Sequence, residues 1–67
     1  MDNEKLKLNL EYLANKYIVN NEVRQELQVH IDNLKAKFIL GEIDRNKNVN
    51  YSDSDRELIK DIYFYYC

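Results

Sequence analysis

Oxygen-bearing side chains recur along one stretch of the chain: Asp44, Asn46, Asn48, Asn50, Ser52 and Asp55. Carboxylate and amide oxygens at such spacing suit a hard cation, which collects several oxygen ligands from one loop. The only histidine, His30, has Glu26 one helical turn before it, a spacing that could supply half of a metal site. Three places after Glu26, where a di-iron helix carries histidine, stands Val29. No second histidine exists and Cys67 is the single cysteine, so a zinc set is not completed. Nucleophilic chemistry needs a hydroxyl or thiol beside a base. Threonine is absent, Ser52 and Ser54 sit where a helix would be capped, and nothing in the spacing brings His30 to them or to Cys67. These readings predict no catalytic set, no resident metal or cofactor, and no enzyme.

Two family resemblances run through the same residues. The six oxygen donors occupy positions 1, 3, 5, 7, 9 and 12 of a window beginning at Asp44, with apolar Ile43 just before it and Tyr51 at the eighth place. That pattern resembles the calcium loop of EF-hand proteins and implies a calcium-responsive module. It departs from the family at Val49, where the sharp turn takes glycine, and at Asp55, where a bidentate glutamate is usual. Without the resemblance, the stretch reads as an asparagine-rich connector. The spacing of Leu13, Ala14, Val19, Leu27, Ile31, Leu34 and Phe38 resembles the two-helix hairpin phosphatases that act on sporulation response regulators. Of their serine-glutamine-glutamate-leucine-aspartate signature, the stretch Gln28-Val29-His30-Ile31-Asp32 keeps the aspartate and a leucine-like residue. That resemblance implies an aspartyl-phosphate phosphatase in which Asp32 is the residue to suspect.

The elements that would position these groups are helices. The chain of 67 residues holds one glycine, Gly41, and no proline, so little interrupts a helical run. Leu6, Leu10, Leu13, Ala14, Tyr17 and Ile18 share one face, which predicts a first helix over 3–19 with Asp2 or Asn3 as its cap. Asn20-Asn21 ends it and starts the next. Val23, Leu27, His30, Ile31, Leu34 and Phe38 predict a second helix over 22–40, closed by Gly41 and packed antiparallel to the first. A polar loop follows over 42–53. Ser52 or Ser54 then caps a third helix over 53–66 carrying Leu58, Ile59, Ile62, Tyr63 and Tyr66. The expectation is a single all-α domain over 1–67: an antiparallel helical hairpin plus a C-terminal helix, a small three-helix bundle.

Charge and composition narrow the partners. Ten basic and 12 acidic residues give a net charge of −2, and the two signs are interleaved. The third helix holds Asp53, Asp55, Glu57 and Asp61 against Arg56 and Lys60, which argues against nucleic acid, whose phosphates call for several uncompensated cations. The charged start of the chain has no apolar leader core, and the longest apolar run, 62–67, is too short for a bilayer. A lone cysteine allows no internal disulfide and suits a reducing, cytoplasmic setting. Abundant asparagine, lysine, isoleucine and tyrosine, whose codons are AT-rich, suggest a low-GC bacterium, its phage or a mobile element.

One surplus is left. Tyr63, Phe64, Tyr65 and Tyr66 are consecutive, so a helix points them in every direction and a core this small cannot take them all. Such rings are enriched at interfaces. The sequence therefore predicts a small intracellular protein-binding regulator or inhibitor, of phage or mobile-element type. It would occupy a surface of a larger protein through Tyr51, Tyr63, Phe64, Tyr65 and Tyr66. It would form a homodimer and need neither nucleic acid nor membrane.

Overall fold

Helical periodicity over most of the chain becomes four helices in the computed structural model, which describes residues 2–67: α1 (Asn3–Tyr17), α2 (Asn21–Asp32), α3 (Ala36–Asn46) and α4 (Asp53–Tyr66). Strands are absent among the described residues. The all-α expectation is met, but with four helices instead of three. The local signals that set most boundaries are visible in the hydrogen bonds. Asp2 accepts from the Lys5 amide at 2.8 Å, and Asn20 accepts from the Glu22 and Val23 amides at 2.8 and 3.3 Å. Each satisfies amides that the first helical turn leaves without partners. Ser52, rather than Ser54, caps α4 by accepting from the Asp55 amide at 3.2 Å.

The expected helix over 22–40 is the main correction. It breaks after Asp32, and the chain turns through Asn33, Leu34 and Lys35 before α3 begins. Leu34 has φ 58°, the one positive φ among the described residues. The Leu34 amide donates to the Ile31 carbonyl and the Lys35 amide to the His30 carbonyl, each at 3.0 Å. This is the paired closure that ends many helices, with the left-handed position held by leucine where glycine is usual. A leucine there costs roughly 1 kcal/mol or more. The offset comes from packing: Leu34 leans on the core cluster, and the bend lets Ala36, Ile39, Leu40 and Ile43 enter it. A straight rod would have carried those side chains away from α1. Gly41 does not terminate a helix. It sits inside α3 with an ordinary helical φ. The loop is correspondingly shorter than expected, since α3 continues to Asn46.

α3 is the central element, touching the other three helices, while α1 also packs on α2. The buried cluster is built from the predicted face of α1 (Leu6, Leu10, Leu13, Ala14, Tyr17) with Ile18, then Leu27 and Ile31 of α2, the inner face of α3, and Ile62 of α4. Burial of these side chains stabilises the fold by about 1.5–3 kcal/mol for each large aliphatic residue. Phe38, expected on the inner stripe, is instead 46% exposed. The rotation of α3 about the bend turns it outward, where its ring lies 4.5 Å from that of His30. No helix among the described residues is long and apolar enough to cross a membrane.

The bend makes a reversed ranking testable. In a helix interior, alanine is more stable than glycine by about 1 kcal/mol. At Leu34 the order inverts: both Leu34→Gly and Leu34→Ala lose the packed side chain, but only glycine accepts the left-handed backbone without strain. Urea unfolding should find Leu34→Gly the more stable of the two by about 1 kcal/mol. The opposite order would restore the unbroken helix.

Candidate functional site

Two places on the molecule concentrate functional side chains, and the first lies beneath the start of α4. Ser52 caps that helix, which puts Asp55 in its first turn, where a negative charge complements the helix dipole. There Asp55 is buried, 3% exposed, against the last turns of α1. Its Oδ2 accepts from the Tyr17 hydroxyl at 2.5 Å and from Lys16 Nζ at 2.7 Å, and its Oδ1 accepts from the Tyr12 hydroxyl at 2.9 Å. The Tyr17 hydroxyl in turn accepts from the Ser52 amide at 3.1 Å. Lys16 reaches Tyr12 as well and lies over the Tyr12 and Tyr17 rings at 5.5 and 5.4 Å. Burial alone would push the Asp55 carboxyl up. The donors Lys16, Tyr17, Tyr12 and Ser52 outweigh it and hold the carboxyl well below the usual carboxylate range. The hydrogen bonds to Asp55 and Tyr12 raise Lys16 above the ordinary lysine value, against a smaller opposing effect of burial. No buried side-chain nitrogen or oxygen lacks a partner among the described residues. A carboxylate satisfied in this way clamps the start of α4 to α1.

This arrangement divides the oxygen-rich stretch. Asp44 and Asn46 belong to α3, Asn48, Asn50 and Ser52 to the connector, and Asp55 to α4. Asp44 pairs with Lys47 at 2.5 Å, and the Asn46 amide group donates to the Glu42 carbonyl at 2.8 Å. The structure thus engages Asp44, Asn46, Ser52 and Asp55 with protein partners instead of turning them toward a common centre. His30 is half-buried against Phe38, and Asp32, at the end of α2, accepts from Gln28 at 3.0 Å and pairs with Lys7 at 3.2 Å. Those two contacts, Gln28 first, hold the Asp32 carboxyl below its ordinary value.

The second place is the outer face of α4 and the surface beside it. Phe64 is 81% exposed and Tyr65 61%, their rings edge to face at 5.0 Å. Tyr63 is also exposed, and Tyr66 is half-buried, its hydroxyl 3.3 Å from the Asp2 carbonyl. Tyr63 and Tyr66 form one wall of a groove whose other wall is Lys35, Lys37, Phe38 and Arg45. Tyr51 stands apart from this group. It packs edge-on to Tyr17 at 4.8 Å with Lys47 over its ring, so it is largely a core neighbour. Burial, then the charge of Asp44, pushes its hydroxyl up to about 12. Of the five aromatic residues singled out in the sequence, four gather at the end of α4 and Tyr51 does not join them. The sequence gives no sign of the basic wall opposite them, because that wall exists only once the chain bends at Leu34. The Asp55 cluster was equally hidden; the one local hint is Tyr12 and Lys16 a turn apart on α1.

Compared with known proteins, the chain matches no family model, no curated protein and no solved structure.

Two outcomes follow from the clamp. Asp55→Ala leaves the buried Tyr17 hydroxyl without its acceptor and releases the α4 cap from α1, which should cost roughly 3 kcal/mol of unfolding free energy. Lys16→Met should cost clearly less, because both tyrosines still donate to the carboxylate. In acid, Asp55 has a folded pKa below its unfolded value, so its contribution is complete above the unfolded carboxyl range and fades as pH falls through it toward the lower folded value. In base the sign reverses for Tyr51, whose folded pKa is raised. Its contribution is intact below the unfolded tyrosine value and is lost as pH climbs toward about 12. Thermal melts across pH should show both flanks; Asp55→Ala should flatten the acid one and remove the share of the base flank that comes from Lys16, leaving that of Tyr51.

Proposed function

We propose that this chain is a small protein-binding regulator or inhibitor that acts by covering a surface of a larger protein with the aromatic end of α4. The observation that carries the reading is the exposure of Phe64 and Tyr65 outside a core that is already closed. Ile62 is fully buried beneath them, and the cluster from all four helices is filled without either ring. Large apolar rings held on a rigid helix turn lose little entropy on docking and contribute much contact area. Tyr63 extends the same surface. The charge balance supports a protein partner over a polyanion, since 12 acidic residues outnumber ten basic ones and the two are interleaved along the sequence. The strongest titratable cluster, around Asp55, is closed by its own hydrogen bonds and ties α4 to α1.

The reading makes the outer rings of α4 dispensable for folding and necessary for capture. Phe64→Ala and Tyr65→Ala should leave the melting temperature within a few degrees of the parent, because neither ring belongs to the core. In pull-downs from the native host, the parent should recover one dominant protein and each variant should retain about tenfold less of it, the loss expected of a central aromatic contact. Light scattering of the purified chain distinguishes a second copy of itself from a different protein as the occupant. A monomer that captures nothing, or capture indifferent to both substitutions, would defeat the proposal.

A further inference from the structure

The groove beside the exposed rings has a chemical character of its own. It is a shallow, open groove of about 710 Å³. Its walls are unlike: Tyr63 and Tyr66 on the α4 side, and Lys35, Lys37, Phe38 and Arg45 along α3 and its lead-in. In a chain of net charge −2, this is a local excess of positive charge over aromatic surface. Arg45 is already paired with Glu42. Lys35 and Lys37 are exposed and have no ion-pair partner among the described residues.

Gly41 adds a second, independent observation. It lines the same groove from within α3, where a glycine weakens the helix by about 1 kcal/mol relative to alanine. The fold does not require it. Its φ is not positive, and an added Cβ would meet nothing nearer than the Arg45 guanidinium at 3.7 Å, an ordinary contact. A glycine that the backbone does not need leaves the helix surface open to close approach by something outside the chain.

We propose that this groove receives an acidic segment of the partner protein, an apolar anchor residue flanked by carboxylates. The inference rests on the protein-binding reading above and names the chemistry of the partner. The anchor sits between Phe38 and Tyr63 over Gly41, and the carboxylates meet Lys35 and Lys37. Complementary charge at such a rim fixes register and speeds encounter. Two unpaired lysines suffice for a short acidic peptide, whereas a nucleic acid draws on many more phosphate contacts.

The test is selection of short random peptides, displayed on phage, against the immobilised chain. The expected result is enrichment of peptides with Asp or Glu flanking a Leu, Phe or Trp. Amide shift changes on adding a selected peptide should be confined to 34–45 and 63–66. Lys35→Glu with Lys37→Glu should weaken that peptide about tenfold and shift selection toward Lys- and Arg-containing peptides. Gly41→Ala should raise the melting temperature yet weaken the peptide, a split that a purely structural role for Gly41 would not produce. Enrichment of neutral or basic peptides by the parent, no enrichment, or shift changes elsewhere would overturn the proposal. So would a groove filled by a second copy of the chain, or binding of an oligonucleotide or anionic vesicle in place of peptides. If the protein captured from the host is lost on Phe64→Ala but kept by the double lysine variant, the acidic segment is refuted while the protein-binding reading stands. If neither change affects capture, both readings fall.

Discussion

A carboxylate inside a small helical protein has to be surrounded by donors, and the arrangement around Asp55 fixes much of this one. Tyr12, Lys16 and Tyr17 reach it from α1, while its own helix begins at Ser52, whose amide binds the Tyr17 hydroxyl. Burying an ion is costly unless each lone pair finds a donor, so this set of four contacts admits few alternatives. The register of α4 against α1 is thereby set at one end. At the other end, Tyr66 touches the start of α1 through the Asp2 carbonyl. Between them Ile62 enters the core. Once the inner line of α4 is defined in this way, Phe64 and Tyr65 have nowhere to go but outward. Their exposure is a consequence of where Asp55 is tied.

The bend at Leu34 has the same standing for the opposite wall of the groove. With α2 and α3 as one rod, Lys35, Lys37 and Phe38 would be strung along a single helix, and the inner face of α3 would miss α1. The turn folds that rod in half, delivers Ile39, Leu40 and Ile43 to the core, and leaves Phe38 and the two lysines outside, across from Tyr63. Function, as proposed, is assembled at the meeting of two helix ends that local sequence does not relate.

Legibility in the sequence followed the range of the interactions involved. Features decided within one turn were readable: the Asn20 cap, the short lists Asp2 or Asn3 and Ser52 or Ser54 that contain the other two caps, the buried face of α1, and the helix of the aromatic tail. Features decided by distant residues were not. Asn33-Leu34-Lys35 contains no breaker, and its closure is favoured only because the far half of the rod gains a core to enter. Asp55 reads locally as a loop oxygen or as one more acid on a solvated helix. Its partners lie 38 to 43 positions away, beyond any spacing rule. Phe38 falls on the inward stripe of an unbroken helix and faces out because the period restarts after the bend. The aromatic cluster at 63–66 was legible as an excess, but the direction of each ring depended on the register of α4.

Leucine at φ 58° has one more meaning. Glycine in that turn would accept a broad range of angles, and the joint would behave as a loose hinge. Leucine reaches positive φ only in the small left-handed well, and every other region open to it lies at negative φ across a steric ridge. The elbow between α2 and α3 therefore keeps one angle without play: small adjustments meet steric walls, and leaving the well means a jump to negative φ that withdraws α3 from the core.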